Sequence, residues 1–188
     1  MKLPELQTER LLLRLPNIED VPSLLDYHKR NRLHLKPFSP VFPEDFFTAE
    51  YWRVKVEGSI DEFHLGLACR FFLFPLDDPE RVVGHCSFSQ VFRGVFHACY
   101  LGYTVDRELE GGGYMREGLR EAIRYMFEEW NLHRIMANYL PHNVRSGRLL
   151  RHLGFVPEGY ARDYLLIDGK WEDHILTSLT NYQWRSDG

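Results

Sequence analysis

Residues 109–119 read LEGGGYMREGL, and they concentrate the residue types best suited to holding an anion. Gly111, Gly112 and Gly113 stand between a strand-like run and an amphipathic helical run. Glycines there leave backbone N–H groups free at the positive end of a helix dipole and let the main chain approach a ligand without side-chain interference. A phosphate or pyrophosphate fits such a place. A dinucleotide fold would need parallel strand–helix–strand units and an acid some twenty residues on, whereas the strands that precede the glycines read as hairpins. A phosphate loop of the Gly-Lys-Ser/Thr kind is also absent. Taken alone, glycines before a helix are as readily turn punctuation as a ligand site. Glu110 sets a carboxylate beside the would-be anion seat, and it is expected to turn away from it.

Other chemically able residues point to less. His133, His142 and His152 lack metal-ligand spacing, so no metal is expected. Cys69, Cys86 and Cys99 are odd in number and embedded in apolar runs, which predicts reduced core thiols. A net charge of -4 argues against a general nucleic-acid binder, and no direct DNA contact is expected. The basic cluster Lys29, Arg30, Arg32 and Lys36 is either an RNA contact or a solvated helix end. No secretory pattern opens the sequence and no run is long enough to span a bilayer, so a cytoplasmic protein is expected.

The elements that must position the glycines follow from hydrophobic period. A chain of 188 residues with 44% hydrophobic and 27% charged residues predicts one domain, residues 1–188, around one core. Residues 10–15 read as a strand, after which Asn17 and Asp20 cap a helix that runs toward Leu35. A proline loop follows, then a helical stretch with Phe46, Phe47, Tyr51, Trp52 and Val56. Residues 64–74, 82–92 and 95–105 are β-branched and aromatic runs, with Arg93-Gly94 as the expected tight turn between the last two. Met115, Leu119, Ala122, Ile123, Met126 and Trp130 recur at helical spacing after the glycines. A strand at 133–140, a helix at 143–152 closed by Gly154, and a hairpin turning at Asp168-Gly169 complete the chain. The order predicts an α+β fold: one mixed, mostly antiparallel sheet of about seven strands with four or so helices.

This order, with Glu110 to Met115 between the fourth strand and a helix, resembles the GNAT (Gcn5-related) acetyltransferase family. The family's pyrophosphate loop is Gln/Arg-x-x-Gly-x-Gly/Ala; Gly113 matches its central glycine and Gly111 a glycine common in the bacterial branch. Glu110 departs from the Gln or Arg, and Met115 from the small final residue. The stretches TERLLLR, HRIMANYLPHN and GYARDYLLIDG extend the likeness over nearly the whole chain and make it similar to the RimJ-type ribosomal-protein-alanine N-acetyltransferases.

The resemblance implies a sheet splayed between its fourth and fifth strands to admit acetyl-CoA, with no metal. Tyr103 to Val105 would offer backbone groups to the pantetheine arm, and Gly111, Gly112, Gly113, Tyr114, Met115 and Arg116 would cradle the pyrophosphate. Asn143 and Ser146 match the branch's Asn-x-x-Ser, in which Asn contacts pantetheine and Ser protonates the leaving thiolate; Asn143 is equally a good helix cap. The carboxylate that serves as base in the RimL type falls near Leu165 and does not carry over. Asp163 is the preferred base, against His97, Tyr139, Glu158, His142 or water. The implied reaction is acetyl transfer to a protein N-terminal amine, the alanine of a small-subunit ribosomal protein, with a possible ribosome contact. Glu57, Asp61 and Glu62 could receive a basic acceptor. A small-amine acetyltransferase and a non-catalytic acyl-CoA-binding or ribosome-assembly module are the rival readings.

Overall fold

The computed structural model describes residues 3–186. Its centre is one sheet of eight strands among these residues: β1 (Glu5–Gln7), β2 (Leu11–Arg14), β3 (Cys69–Pro75), β4 (Gly84–Phe92), β5 (Ala98–Val105), β6 (Arg134–Met136), β7 (Val156–Ile167) and β8 (Lys170–Thr180). They lie in the order β1-β2-β3-β4-β5-β6-β8-β7, and only β5 and β6 run parallel. A parallel neighbour requires a crossover, which α4 (Tyr114–Glu128) supplies.

The other helices are α1 (Val21–Arg30), α2 (Arg32–Leu35), α3 (Ala49–His64) and α5 (Val144–His152). Two layers of helix sandwich the sheet. Met115, Leu119, Ala122 and Met126 of α4 and Leu150 of α5 cover Leu11, Leu13, Phe71, Leu73, Cys86 and Cys99. On the opposite face Leu24 and Tyr27 of α1 and Trp52 and Val56 of α3 pack on Phe72 and Phe74. Strand β3 is therefore buried on both sides, which is why its run FFLF is apolar without alternation. All three cysteines are buried, and burial pushes each thiol up, Cys99 to about 12.

The count of about seven strands and four or so helices becomes eight and five. Strand β1 has three residues, too few to display a period. The helix expected to continue to Leu35 breaks at Asn31 (φ −98°, ψ 5°), whose buried amide donates to the Tyr27 carbonyl and accepts from the Arg107 N–H. Helix α3 begins only after Thr48, which accepts from the Tyr51 N–H, so Phe46 and Phe47 belong to the preceding loop. Arg93-Gly94 lies in a five-residue connection between Phe92 and Ala98 and not in a two-residue turn. Asp168-Gly169 is the expected two-residue turn, both residues at positive φ (45° and 80°). Asn17 and Asp20 form a reciprocal capping box on the short 3-10 turn before α1. Gly154 ends α5 at φ 90°, its N–H bonding the Arg151 carbonyl and that of Phe155 the Leu150 carbonyl.

Candidate active site

The glycine loop joins the end of β5 to α4. Gly111 and Gly113 take φ of 77° and 81°, a backbone region that disfavours L side chains. Gly113 is the N-cap of α4, and the first intrahelical bond runs from the Glu117 N–H to its carbonyl. The amides of Tyr114, Met115 and Arg116 therefore have no acceptor one turn back. The loop is pinned from behind. Arg10 donates to the Gly112 carbonyl (3.1 Å), lies 4.0 Å over the Tyr114 ring, and pairs with Glu117, which also accepts from the Thr8 hydroxyl (2.6 Å). Arg116 is exposed and makes no ion pair among the described residues. Glu110 is engaged through both oxygens: Arg145 of α5 pairs with one, and His34 of α2 stands 3.3 Å from the other. A helix start with free amides, an unengaged Arg116 and a neutralised Glu110 fits a pyrophosphate.

Beside this loop the sheet opens. The β5–β6 register covers only Ala98↔Arg134, Cys99↔Ile135 and Tyr100↔Met136, so residues 101–105 of β5 have no strand neighbour on that side among the described residues. The split falls where the expected fourth and fifth strands meet. Across it the Tyr103 hydroxyl stands 2.7 Å from the Ser146 hydroxyl, in the first turn of α5. Burial pushes the Tyr103 phenol up to about 12, the Ser146 hydrogen bond opposing and Tyr139 adding to the shift. Tyr103 therefore keeps its proton at neutral pH. Asn143 caps α5 by accepting from the Ser146 N–H (3.1 Å). Gly147 lets this turn sit against Tyr139: a Cβ there would come within 2.8 Å of the ring.

The opposite face of β4 and β5 carries a cavity of about 610 Å³, closed by α1, α3 and the loop at 39–43. Phe42, Phe46, Trp52 and Phe72 make its walls, and His28, His85 and Thr104 join the lining. Thr104 lies in the unpaired part of β5, so cavity and split adjoin. The Thr104 hydroxyl is 2.8 Å from both the Tyr27 hydroxyl and His85 Nδ1. Burial, then the Arg70 charge, lowers His85 to about 4; burial, then His85 and Arg30, lowers His28 to about 3. Both rings are neutral near pH 7. The Asp168-Gly169 turn borders this region, the Asp168 N–H donating to the Ser39 carbonyl (2.9 Å).

Among the sequence-derived candidates, Tyr103, Asn143 and Ser146 meet at the split, next to the loop of Gly111, Gly112 and Gly113. Asp163 lies elsewhere, exposed on a bulge of β7 at φ 44°, its N–H donating to Asp173. Glu158 pairs with Arg134 on the surface, and His97 packs against Trp184 (5.1 Å) at the end of β5 remote from the loop. His142 stacks loosely on Phe38 (6.2 Å). Glu62 reaches the cavity wall but is paired with Arg70. Within the basic cluster, Arg30 is engaged by Asp26 and Asp106, and Lys36 stands 3.8 Å from Asp168. His28 and His85 are the additions. The signal for His85 was the polar alternation of GHCSFS, where His85 and Ser87 share a face that helices cover.

Comparison with known proteins agrees with this geometry. Residues 10–156 match the acetyltransferase (GNAT) domain family. A ribosomal protein uS5-alanine N-acetyltransferase of Escherichia coli K12 is 51% identical over 180 residues, covering 95% of this chain and 92% of its own. The crystal structure of ribosomal-protein-S5-alanine acetyltransferase from Vibrio fischeri superposes with a TM-score of 0.92 at 39% identity, over 97% of this chain and 99% of that one. RimJ of Mycobacterium smegmatis, in complex with CoA-disulfide, gives 0.87 at 27% identity, over 96% and 88%. The chain belongs to the GNAT acetyltransferase family and to its RimJ-type branch.

Proposed function

We propose that this enzyme transfers the acetyl group of acetyl-CoA to the N-terminal alanine of a small-subunit ribosomal protein. The observation that carries the reading is the 51% identity, over 95% of the chain, with the uS5-alanine acetyltransferase. Acetyl-CoA supplies an acyl group already activated as a thioester. In this reading the amides of Gly111, Gly112, Gly113, Tyr114 and Met115, with Arg116, hold the pyrophosphate. Tyr103 to Val105 run along the pantetheine arm, and Asn143 orients it. An α-amino group has a pKa of about 7.7–8.0, so part of it is neutral near pH 7 and attacks the thioester carbon directly. Its proton passes to water. Ser146 protonates the departing thiolate and is resupplied by Tyr103, 2.7 Å away, which water reprotonates with the proton the amine released. Holding two substrates in register contributes more than proton transfer, which is worth roughly 10²–10⁴-fold. A ribosomal acceptor places the reaction in the cytoplasm.

The test is mass spectrometry of an alanine-terminal ribosomal peptide incubated with enzyme and acetyl-CoA, beside a panel of small amines. A mass gain of one acetyl group on the peptide is expected. Acetylation of small amines alone, or stabilisation by acetyl-CoA without turnover of any acceptor, would overturn the reading.

A further inference from the structure

The hydrogen-bond chain beneath the cavity fixes where the His85 proton sits. Tyr27 is fully buried, and the Thr104 hydroxyl is the partner of its phenol among the described residues. Tyr27 must therefore give its proton to Thr104 Oγ1, because the reverse arrangement leaves a buried phenol proton without an acceptor. Thr104 has one proton of its own, and His85 Nδ1, 2.8 Å away, is its one remaining side-chain partner among the described residues, so the proton points there. Nδ1 is thus the acceptor, and the neutral ring carries its hydrogen on Nε2. The ring is held in place by stacking on Phe72 (centroids 5.4 Å apart, 30° between planes) while it lines the cavity.

We propose that His85 Nε2–H donates a hydrogen bond to the carbonyl oxygen of the acceptor's first residue, so that His85 selects a peptide N-terminus. This rests on the acetyl-transfer reading above. In a peptide that oxygen lies roughly 3 Å from the amine nitrogen, as bond lengths require. An oxygen on His85 therefore keeps the amine within the cavity, whose lining reaches the split at Thr104. The charge pattern disfavours a polyamine: Glu62 is taken up by Arg70, and Lys55 stands at the same wall. A neutral amine with a carbonyl beside it matches this lining, and a polycation does not.

The test combines two substitutions with a spectroscopic readout. His85→Phe keeps the stack on Phe72 but removes the donor; His85→Gln returns an N–H near the Nε2 position. KM for an alanine-terminal peptide should rise about 10–100-fold in His85→Phe, the range expected on losing a buried hydrogen bond. KM for acetyl-CoA should stay within twofold, and His85→Gln should recover most of the loss. Independently of turnover, ¹⁵N NMR of the unliganded enzyme should show His85 protonated at Nε2. Protonation at Nδ1, or an unchanged peptide KM in His85→Phe, would overturn the proposal. So would a fall in kcat alone that is reversed by raising the pH, which would make His85 a base. If His85→Phe fails to fold, Thr104→Val replaces it; freeing Nδ1 should raise the peptide KM in the same direction, and no rise would count against the proposal. A wild-type enzyme inactive on the peptide would instead defeat the acetyl-transfer reading, leaving the NMR result to decide the tautomer.

Discussion

At the scale of single residues, the pair Tyr103 and Ser146 joins the two sides of the split by one hydrogen bond. Neither residue announces this by type, since a serine in a first helical turn and a tyrosine in a strand are commonplace. Tyr103→Phe keeps the ring against the core and removes only the hydroxyl. We expect kcat to fall about tenfold or more with KM for acetyl-CoA little changed, in line with the loss of a proton donor. In steady-state assays the Tyr103→Phe/Ser146→Ala double variant should be no slower than Ser146→Ala alone, because both act on one proton path. Additive losses would separate the two roles. Glu110 resolves at this scale as well. Its carboxylate is engaged by Arg145 and His34, so an acid beside an anion seat is tolerated through local neutralisation.

At the scale of elements, the start of α5 is placed by contact with Tyr139. The chain there is Asn143, capping; Ser146, facing Tyr103; and Gly147, against the Tyr139 ring. Gly147→Ala would place a methyl group 2.8 Å from ring carbons, so either Tyr139 or the helix start must shift. Small overpacking of this kind costs about 1–3 kcal/mol. Here it also moves Ser146. We expect a lower melting temperature together with a kcat loss larger than that of an alanine placed at exposed Arg148, measured by thermal unfolding and steady-state kinetics. The cap, the helix and its glycine stop were legible in the sequence, because each depends on neighbours a few residues away. The Tyr139 contact was not, since it joins a loop to a helix by packing alone.

At the scale of the molecule, two neutral histidines enclosed between helices and sheet make stability depend on pH. His28 and His85 have folded values of about 3 and 4, below the ordinary 6.5, mainly through burial. On acidification the unfolded chain takes up these protons first. Stability is therefore complete above about pH 6.5 and is lost as pH falls toward 4, by about 1.4 kcal/mol per pH unit for each ring. His28 stacks on Trp52 at 4.3 Å, and its buried Nε2 has no hydrogen-bond partner among the described residues. His28→Phe should keep the stack, cost little at pH 7 and remove one proton from the slope. Urea unfolding at pH 7 and pH 5 would check this, and an unaltered slope would contradict it.

The sequence by itself determined the mixed, mostly antiparallel sheet, the glycine loop before α4 and the tight turn at Asp168-Gly169. Each of these rests on local backbone preference or on a hydrophobic period, both properties of a short window of residues. Only the tertiary structure decided that residues 101–105 lose their neighbour, that Tyr27, Thr104 and His85 form one chain of hydrogen bonds, and that Arg145 neutralises Glu110. Those facts join residues tens of positions apart, and their energies come from burial and distance, which a local pattern does not encode.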